Sequence, residues 1–357
     1  MKNITLQDLG YDNFFEVGKV DKGFADYLLA RVISEHKESY RVIGEDGEFI
    51  GRVTGKQMFE AKNRSDYPAV GDWVAISKAD EENVIIHGII PRKNVFSKKY
   101  SNKQDIQIIA SNVDTVFVVE SVNQDYSLNR LERYFVLADK GGAHPVVLLS
   151  KADLISKEEI NLKKIEIRNR LGDIEILLAS TLSTAGMEEL ISFMERGKTY
   201  CLIGSSGVGK SSIINALLGN DQIKTGGIDV IDRGRHTTTS REMYFLPNGS
   251  IVIDNPGTRE VGIGDAGESM ENVFSKIDIL ARQCKYSDCT HVHESGCAVL
   301  KAVESEELDK EQYENYLKLK KESEYYEMDE VNKREKDKQF GKFLKQSLKD
   351  LKKFRGR

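Results

Sequence analysis

The residues best equipped for chemistry run from 204 to 211: Gly204-Ser205-Ser206-Gly207-Val208-Gly209-Lys210-Ser211, a complete G-x-x-x-x-G-K-S. Glycines at these spacings let backbone N–H groups turn inward around an anion. The N-terminus of a following helix adds partial positive charge. Lys210 would reach the β- and γ-phosphates of a nucleoside triphosphate, and the Ser211 hydroxyl would bind Mg²⁺. Ser212 carries the loop into the helix. The context is the one this chemistry requires: the apolar run Thr199–Ile203 reads as a strand, and Ser211–Leu218 reads as a helix.

A phosphate loop does not choose its base. Upstream, at the end of another apolar run, lies Ser150-Lys151-Ala152-Asp153. It resembles the guanine-reading N-K-x-D tetrapeptide, with serine in place of the first asparagine. The Asp153 carboxylate can accept from both N1–H and the N2 amine of guanine. Adenine offers neither donor there, so the same carboxylate would be left unpaired, and sites built on such bonds discriminate strongly. Lys151 would cover the base and brace the phosphate loop. Ala179-Ser180-Thr181, after the next strand, resembles the second base-contacting loop and places Ser180 at the nucleotide.

Downstream of the phosphate loop come Gly234-Arg235-His236-Thr237-Thr238-Thr239 and then Asp254-Asn255-Pro256-Gly257, directly after the apolar Ser250–Ile253. The second segment resembles D-x-x-G: Asp254 would hold Mg²⁺ through water, and the Gly257 amide would sense the γ-phosphate. One of the threonines would complete the metal shell, with Thr238 and Thr239 placed at the nucleotide. The residue after Gly257 is Thr258, too short to orient an attacking water. His236 is the best substitute, because a neutral imidazole accepts from water. In ordinary GTPases the base-reading motifs come last; here they come first. A sheet tolerates such a permutation when the old termini were neighbours.

Three of the four cysteines, Cys284, Cys289 and Cys297, fall within 14 residues, with His291 and His293 between them. Three thiolates and an imidazole suit a closed, tetrahedral, structural Zn²⁺ site. His293 would compete with the tight turn at Glu294-Ser295-Gly296. Cys201, inside the strand before the phosphate loop, reads as core.

The elements that must position these groups are legible from pattern. Five short β-prone runs within residues 27–90 (Tyr27–Ile33, Tyr40–Val42, Phe49–Val53, Trp73–Ile76 and Val84–Ile90) predict a small barrel of OB type. From 105 to 298, strands at Thr115–Glu120, Pro145–Leu149, Ile174–Leu178, Thr199–Ile203 and Ile251–Ile253 alternate with helices at Leu128–Asp139, Gly186–Met194 and Ser211–Leu218. That alternation predicts a mainly parallel, two-faced sheet. The rest is helical and charged. The last 27 residues hold 11 Lys/Arg and 3 Asp/Glu, a basic amphipathic helix able to contact RNA phosphates or pack on the body. The expected division is residues 1–100, 101–265 and 266–357. With 357 residues, 39% hydrophobic and 31% charged, the composition is that of a soluble globular protein. The N-terminus lacks a signal-peptide pattern, no apolar run reaches the roughly 20 residues of a membrane span, and a cytoplasmic location is expected. The net charge of -5 gives no global signal for nucleic acid.

The permuted order, the GRHTTT segment, the barrel and the cysteine cluster together resemble the RsgA (YjeQ/YloQ) family. Val70-Gly71-Asp72, Pro91-Arg92 and Ser111-Asn112-Val113-Asp114 extend the resemblance over nearly the whole chain. Departures are Ser150 for Asn, Asn255 for the common Thr and Ser295 for the common Pro. The resemblance implies a circularly permuted α/β P-loop GTPase between an OB-type barrel and a zinc-binding helical domain. It implies His236 as the catalytic residue and Cys284, Cys289, His291 and Cys297 as zinc ligands. It implies hydrolysis of GTP to GDP by a monomer that binds the small (30S) ribosomal subunit and its rRNA during late maturation. A second reading is a GTP-gated RNA- or protein-binding switch with negligible turnover. A metabolic P-loop kinase is disfavoured by Asp153 and the threonine run.

Overall fold

The computed structural model of the protein describes residues 4–36, 39–99, 106–123, 125–219, 241–254 and 262–328, together with 332 and 338. Helix α1 (Asn13–Asp21), capped by Asp12, leads into strands β1 (Leu28–Glu35), β2 (Tyr40–Gly44) and β3 (Gly47–Val53). After helix α2 (Gly55–Glu60) come β4 (Trp73–Lys78) and β5 (Asn83–Ile89). The hydrogen-bonded order β1-β2-β3-β5-β4 closes on itself through β1–β4 pairing, a barrel of OB type. Closure leaves these strands no edge. Ala30, Val32, Val42, Phe49, Val74, Ile76, Val84 and Ile86 fill its interior.

Hairpin β6 (Val95–Lys99) and β7 (Ile106–Ser111) connects the barrel to the second layer structure. There β8 (Thr115–Ser121), helix α3 (Leu128–Lys140), β9 (His144–Ser150), helix α4 (Lys157–Leu171) and β10 (Ile176–Ala179) follow in turn. Helix α5 (Met187–Phe193), β11 (Thr199–Ile203), helix α6 (Lys210–Leu218), β12 (Glu242–Phe245) and β13 (Ile251–Asp254) complete the core. The sheet runs β10-β9-β8-β11-β13-β12, parallel except for β12. All of β8, β11 and β13 is buried, as parallel strands covered on both faces must be. Helices α3 and α4 cover one face through Leu131, Phe135 and Ile167; α5 and α6 cover the other through Leu190, Ile213 and Leu217.

The barrel is welded to this core rather than tethered. Leu29, Ile33, Trp73 and Ala75 point out of the barrel into an apolar cluster shared with Val116, Val118, Ile203 and Ile253. The segments 70–72, 91–92 and 111–114 meet in a buried polar hub beside it. Asp72, with no exposed surface, accepts from Arg92 Nε and Nη2 at 2.7 and 2.6 Å, from Ser111 Oγ at 2.5 Å and from the Ala69 amide at 2.8 Å. Asn112 Nδ2 donates to Gly71 O at 3.0 Å. A Cβ on Gly71, at φ +99°, would lie 2.1 Å from Ser111 O, so only glycine fits. Buried Arg31 of β1 donates to Leu9 O at 2.5 Å, to Asn112 O at 3.3 Å and to Thr199 Oγ1, the first residue of β11, at 2.9 Å.

Helices α7 (Gly267–Val273), α8 (Ser275–Ala281), α9 (Ala298–Glu304) and α10 (Lys310–Glu327) pack around Phe274, Ile277, Val299 and Leu319. Val136 of α3 enters this cluster, so the C-terminal helices sit on the core. Polar contacts fix the seat: buried Glu132 of α3 accepts from Asn315 at 2.6 Å, Gln312 at 3.1 Å and Arg170 at 3.4 Å. Arg133 forks onto Glu322 at 2.8 and 2.7 Å. Among the described residues no helix is long and apolar enough to cross a membrane. The basic segment 331–357 lies outside the described residues apart from 332 and 338.

Candidate nucleotide and metal sites

The phosphate loop joins the end of β11 to the start of α6, as its sequence requires. Gly204 has φ +153°, and a Cβ there would sit 2.4 Å from Val119 O on the neighbouring strand. Gly207 and Gly209, at φ +81° and +97°, take left-handed turns that L side chains rarely adopt. Val208 is buried beneath the loop, while Ser206 and Gly207 face solvent. Lys210 opens α6, and its Nζ donates to Gly204 O at 2.8 Å and Ser205 O at 2.7 Å, spanning the loop it belongs to. Ser205, Ser211 and Ser212 are half-buried at the helix start.

The segments expected to read the base, distant and earlier in the chain, arrive at the same place. Ser150 ends β9, buried, and its Oγ donates to Val208 O at 2.6 Å. Lys151, in the left-handed region at φ 56°, extends its Nζ to Gly207 O at 2.8 Å. Asp153 is exposed, and its Oδ1 accepts from Ser180 Oγ at 2.5 Å. Ser180 in turn accepts from the Ser183 amide at 3.1 Å, which pins the second loop. Strand order explains the convergence: β10 lies beside β9, β9 beside β8, and β8 beside β11, all pointing their C-terminal ends the same way. Ligands of open parallel sheets bind outside those ends.

On the other side of β11, Asp254 closes β13 in register with Leu202. Burial pushes its carboxyl above the usual carboxylate range, Glu242 adds to this, and Lys210 opposes it. Its pairing with Leu202, two residues before Gly204, places this carboxylate beside the root of the phosphate loop. His236, Thr238, Thr239 and Gly257 lie outside the described residues.

Sequence reasoning passed over Glu120, whose carboxylate is fully buried at the end of β8. It accepts from Arg130 at 2.7 Å and from the Ser127 amide at 3.0 Å. The signal was an acidic residue ending an otherwise apolar run. It also passed over the anchor at Ile263, whose N–H donates to Glu322 at 3.1 Å and whose carbonyl accepts from Lys140 at 2.9 Å.

The second site is the cysteine cluster. One ligand atom from each of Cys284, Cys289, His291 and Cys297 lies within 4.8 Å of the others, so the four could hold a metal ion. Cys284 and Cys297 sulfurs are 3.8 Å apart, and His291 Nδ1 is 3.6 and 3.5 Å from them. Tetrahedral zinc, with Zn–S near 2.3 Å and Zn–N near 2.0–2.1 Å, demands edges of about 3.8 and about 3.5 Å. These three edges fit Zn²⁺, and Cys289, within 4.8 Å of the other ligand atoms, can supply the fourth. His293 is exposed and outside the cluster. Burial pushes the His291 imidazole pKa down, favouring the neutral form that a metal needs. Glu294 knots the loop: its carboxylate accepts from the Thr290 hydroxyl and amide and from the Val292 and His293 amides, which holds it well below the ordinary range. Tyr313 of α10 donates to His291 O at 2.6 Å. The cysteines pack within the C-terminal helical cluster, so chelation should expose the segment around 284–297 to protease while fluorescent GDP still binds within about twofold. Loss of nucleotide binding in step with metal release would contradict a purely structural role.

The family described as RsgA GTPase matches residues 89–264, and that described as 50S ribosome-binding GTPase matches residues 199–332. The small ribosomal subunit biogenesis GTPase RsgA 2 of Lactiplantibacillus plantarum is 42% identical over 305 residues, 84% of each chain. RsgA 2 of Listeria monocytogenes is 40% identical over 324 residues, 90% of each chain. The crystal structure of YjeQ from Thermotoga maritima superposes with a TM-score of 0.61 at 28% identity, covering 82% of this chain and 96% of that one. That of YloQ, titled a circularly permuted GTPase, gives 0.56 at 22% identity over 82% and 93%, a likeness of fold. With Ser150 and Lys151 preceding the phosphate loop in sequence yet bonded to it in space, and with this degree of identity over most of its length, the chain belongs to the RsgA family of circularly permuted GTPases.

Proposed function

We propose that this protein hydrolyses GTP to GDP and phosphate while acting on the small (30S) ribosomal subunit in the cytoplasm, during late subunit maturation. The observation that carries the guanine assignment is the set of three ties at the C-terminal ends of the strands: Ser150 to Val208, Lys151 to Gly207, and Ser180 to Asp153. They support a site in which Asp153 grips the base while the amides of 204–211 and Lys210 hold the phosphates. The names of the curated relatives support the ribosomal role.

In this reading Ser211 and Asp254 hold Mg²⁺, which neutralises phosphate charge when bound. Thr238 and Thr239 complete the nucleotide site, and the Gly257 amide meets the γ-phosphate. His236 accepts a hydrogen bond from the attacking water and orients it. Zn²⁺ on Cys284, Cys289, His291 and Cys297 keeps the C-terminal helices in shape for docking. The barrel's near balance of 15 Lys/Arg and 16 Asp/Glu in residues 1–100 leaves the tail, with its excess of eight positive charges in 27 residues, as the strongest phosphate-binding surface for rRNA.

The test is multiple-turnover hydrolysis of GTP and of ATP, titrated with purified small subunits. GTP turnover should rise with subunit concentration and ATP turnover should not. His236→Ala should lower the stimulated rate by about 10²-fold or more, the usual scale for a positioned proton acceptor. Subunit-independent rates, or an unaffected variant, would refute the respective assignment.

A further inference from the structure

Position 150 is where the resemblance calls for asparagine and this chain has serine. The surroundings define what the exchange does. Ser150 is only 2% exposed, and its own carbonyl accepts from the Val122 amide at 3.2 Å, so its backbone is fixed. Its Oγ faces two carbonyls, Val208 O at 2.6 Å and Glu120 O at 3.3 Å. A hydroxyl carries one proton, and the shorter contact takes it. Its register partner on β8, Ser121, is likewise buried, and its Oγ has no hydrogen-bond partner within the protein. A carboxamide at this position would carry two protons. One would serve Val208 and the other would remain for the purine. Away from its N1 and N2 edge, guanine offers acceptors at N7 and O6.

Resting on the guanine site proposed above, we infer that Ser150 is a positioning residue that fastens the base loop to the phosphate loop and does not read the imidazole side of the base. Guanine is therefore recognised from the Asp153 edge, and N7 goes unread. Removing the hydroxyl leaves the buried Val208 carbonyl without a donor and loosens the loop that carries the phosphates. That loss is independent of which base is bound.

The experiment compares dissociation constants of GDP and 7-deaza-GDP, whose N7 is a carbon, for the full-length protein and three variants. The wild type should bind the two within about twofold of each other. Ser150→Ala should weaken both by the same factor, about tenfold, as expected for a buried acceptor stripped of its partner. Ser150→Thr keeps the hydroxyl and should stay near wild type, which separates the hydrogen bond from the packing. Ser150→Asn should bind GDP several-fold more tightly than 7-deaza-GDP. A wild type that rejects 7-deaza-GDP by fivefold or more, or an alanine variant that binds as the wild type does, overturns the inference. A wild type that prefers ADP to GDP would overturn the guanine reading itself, a distinguishable result.

Discussion

Asp153→Asn should turn a guanine site into a xanthine site. The carboxylate is exposed at the mouth of the base loops, and its Oδ1 is oriented by Ser180 Oγ at 2.5 Å. In that orientation both oxygens can accept from the N1–H and N2 amine of guanine. An asparagine keeps one acceptor, which can still receive Ser180, but presents an NH₂ where guanine also presents one. Two donors then face each other without acceptors, a mismatch of the kind that costs on the order of 10⁴-fold in affinity. Xanthine replaces the N2 amine with a carbonyl, so the new amide gains a partner. GTP affinity should fall by about 10³-fold or more while xanthosine triphosphate gains, with the two measured by competition against a fluorescent nucleotide. Equal loss of both would mean that Asp153 shapes the loop and does not read the base.

The second large effect is expected far from the nucleotide. Asp72→Ala removes a fully buried carboxylate from beneath Arg92, Ser111 and the Ala69 amide at once. Arg92 keeps its bonds to Ser65 O and Tyr67 O at 2.9 and 3.0 Å, but its charge loses its carboxylate partner with its side chain only 16% exposed. Breaking a buried pair from one side costs about 3–5 kcal/mol. The denaturant midpoint should drop accordingly, and a reversal charge swap should not restore it, because Ser111 and the Ala69 amide need an acceptor at position 72. A loss under about 1 kcal/mol would show that water relieves the site.

Much of this was readable in the residues. Every strand of the parallel sheet that carries a site residue sits where an apolar run ends, because parallel strands must be apolar on both faces and so announce themselves. The cysteine and histidine spacing was equally plain, and geometry separated His291 from His293. Helix α4 escaped: it buries only Ile160 and Ile167 in 15 residues, too few to create a period. Its actual signal was the capping box of Ser156 and Glu159. Helix α1 has only nine residues, with Phe15 and Gly18 buried, and its signal was the Asp12 cap. The segments 70–72, 91–92 and 111–114 were noticed only as a likeness. That they form one hub depends on contacts across about 40 positions of chain, which no local pattern encodes.

Thr199 has the barrel's Arg31 on its hydroxyl and Asp114 on its amide at 2.8 Å, and from it five residues of buried strand lead to Gly204. A continuous run of hydrogen bonds and buried strand thus links the barrel to the root of the phosphate cradle. Excising residues 1–100 to learn what they grip would also strip Thr199 and the Asn112 carbonyl of their cationic partner. The informative surgery is on the barrel's outer skin, leaving its inner guanidinium in place.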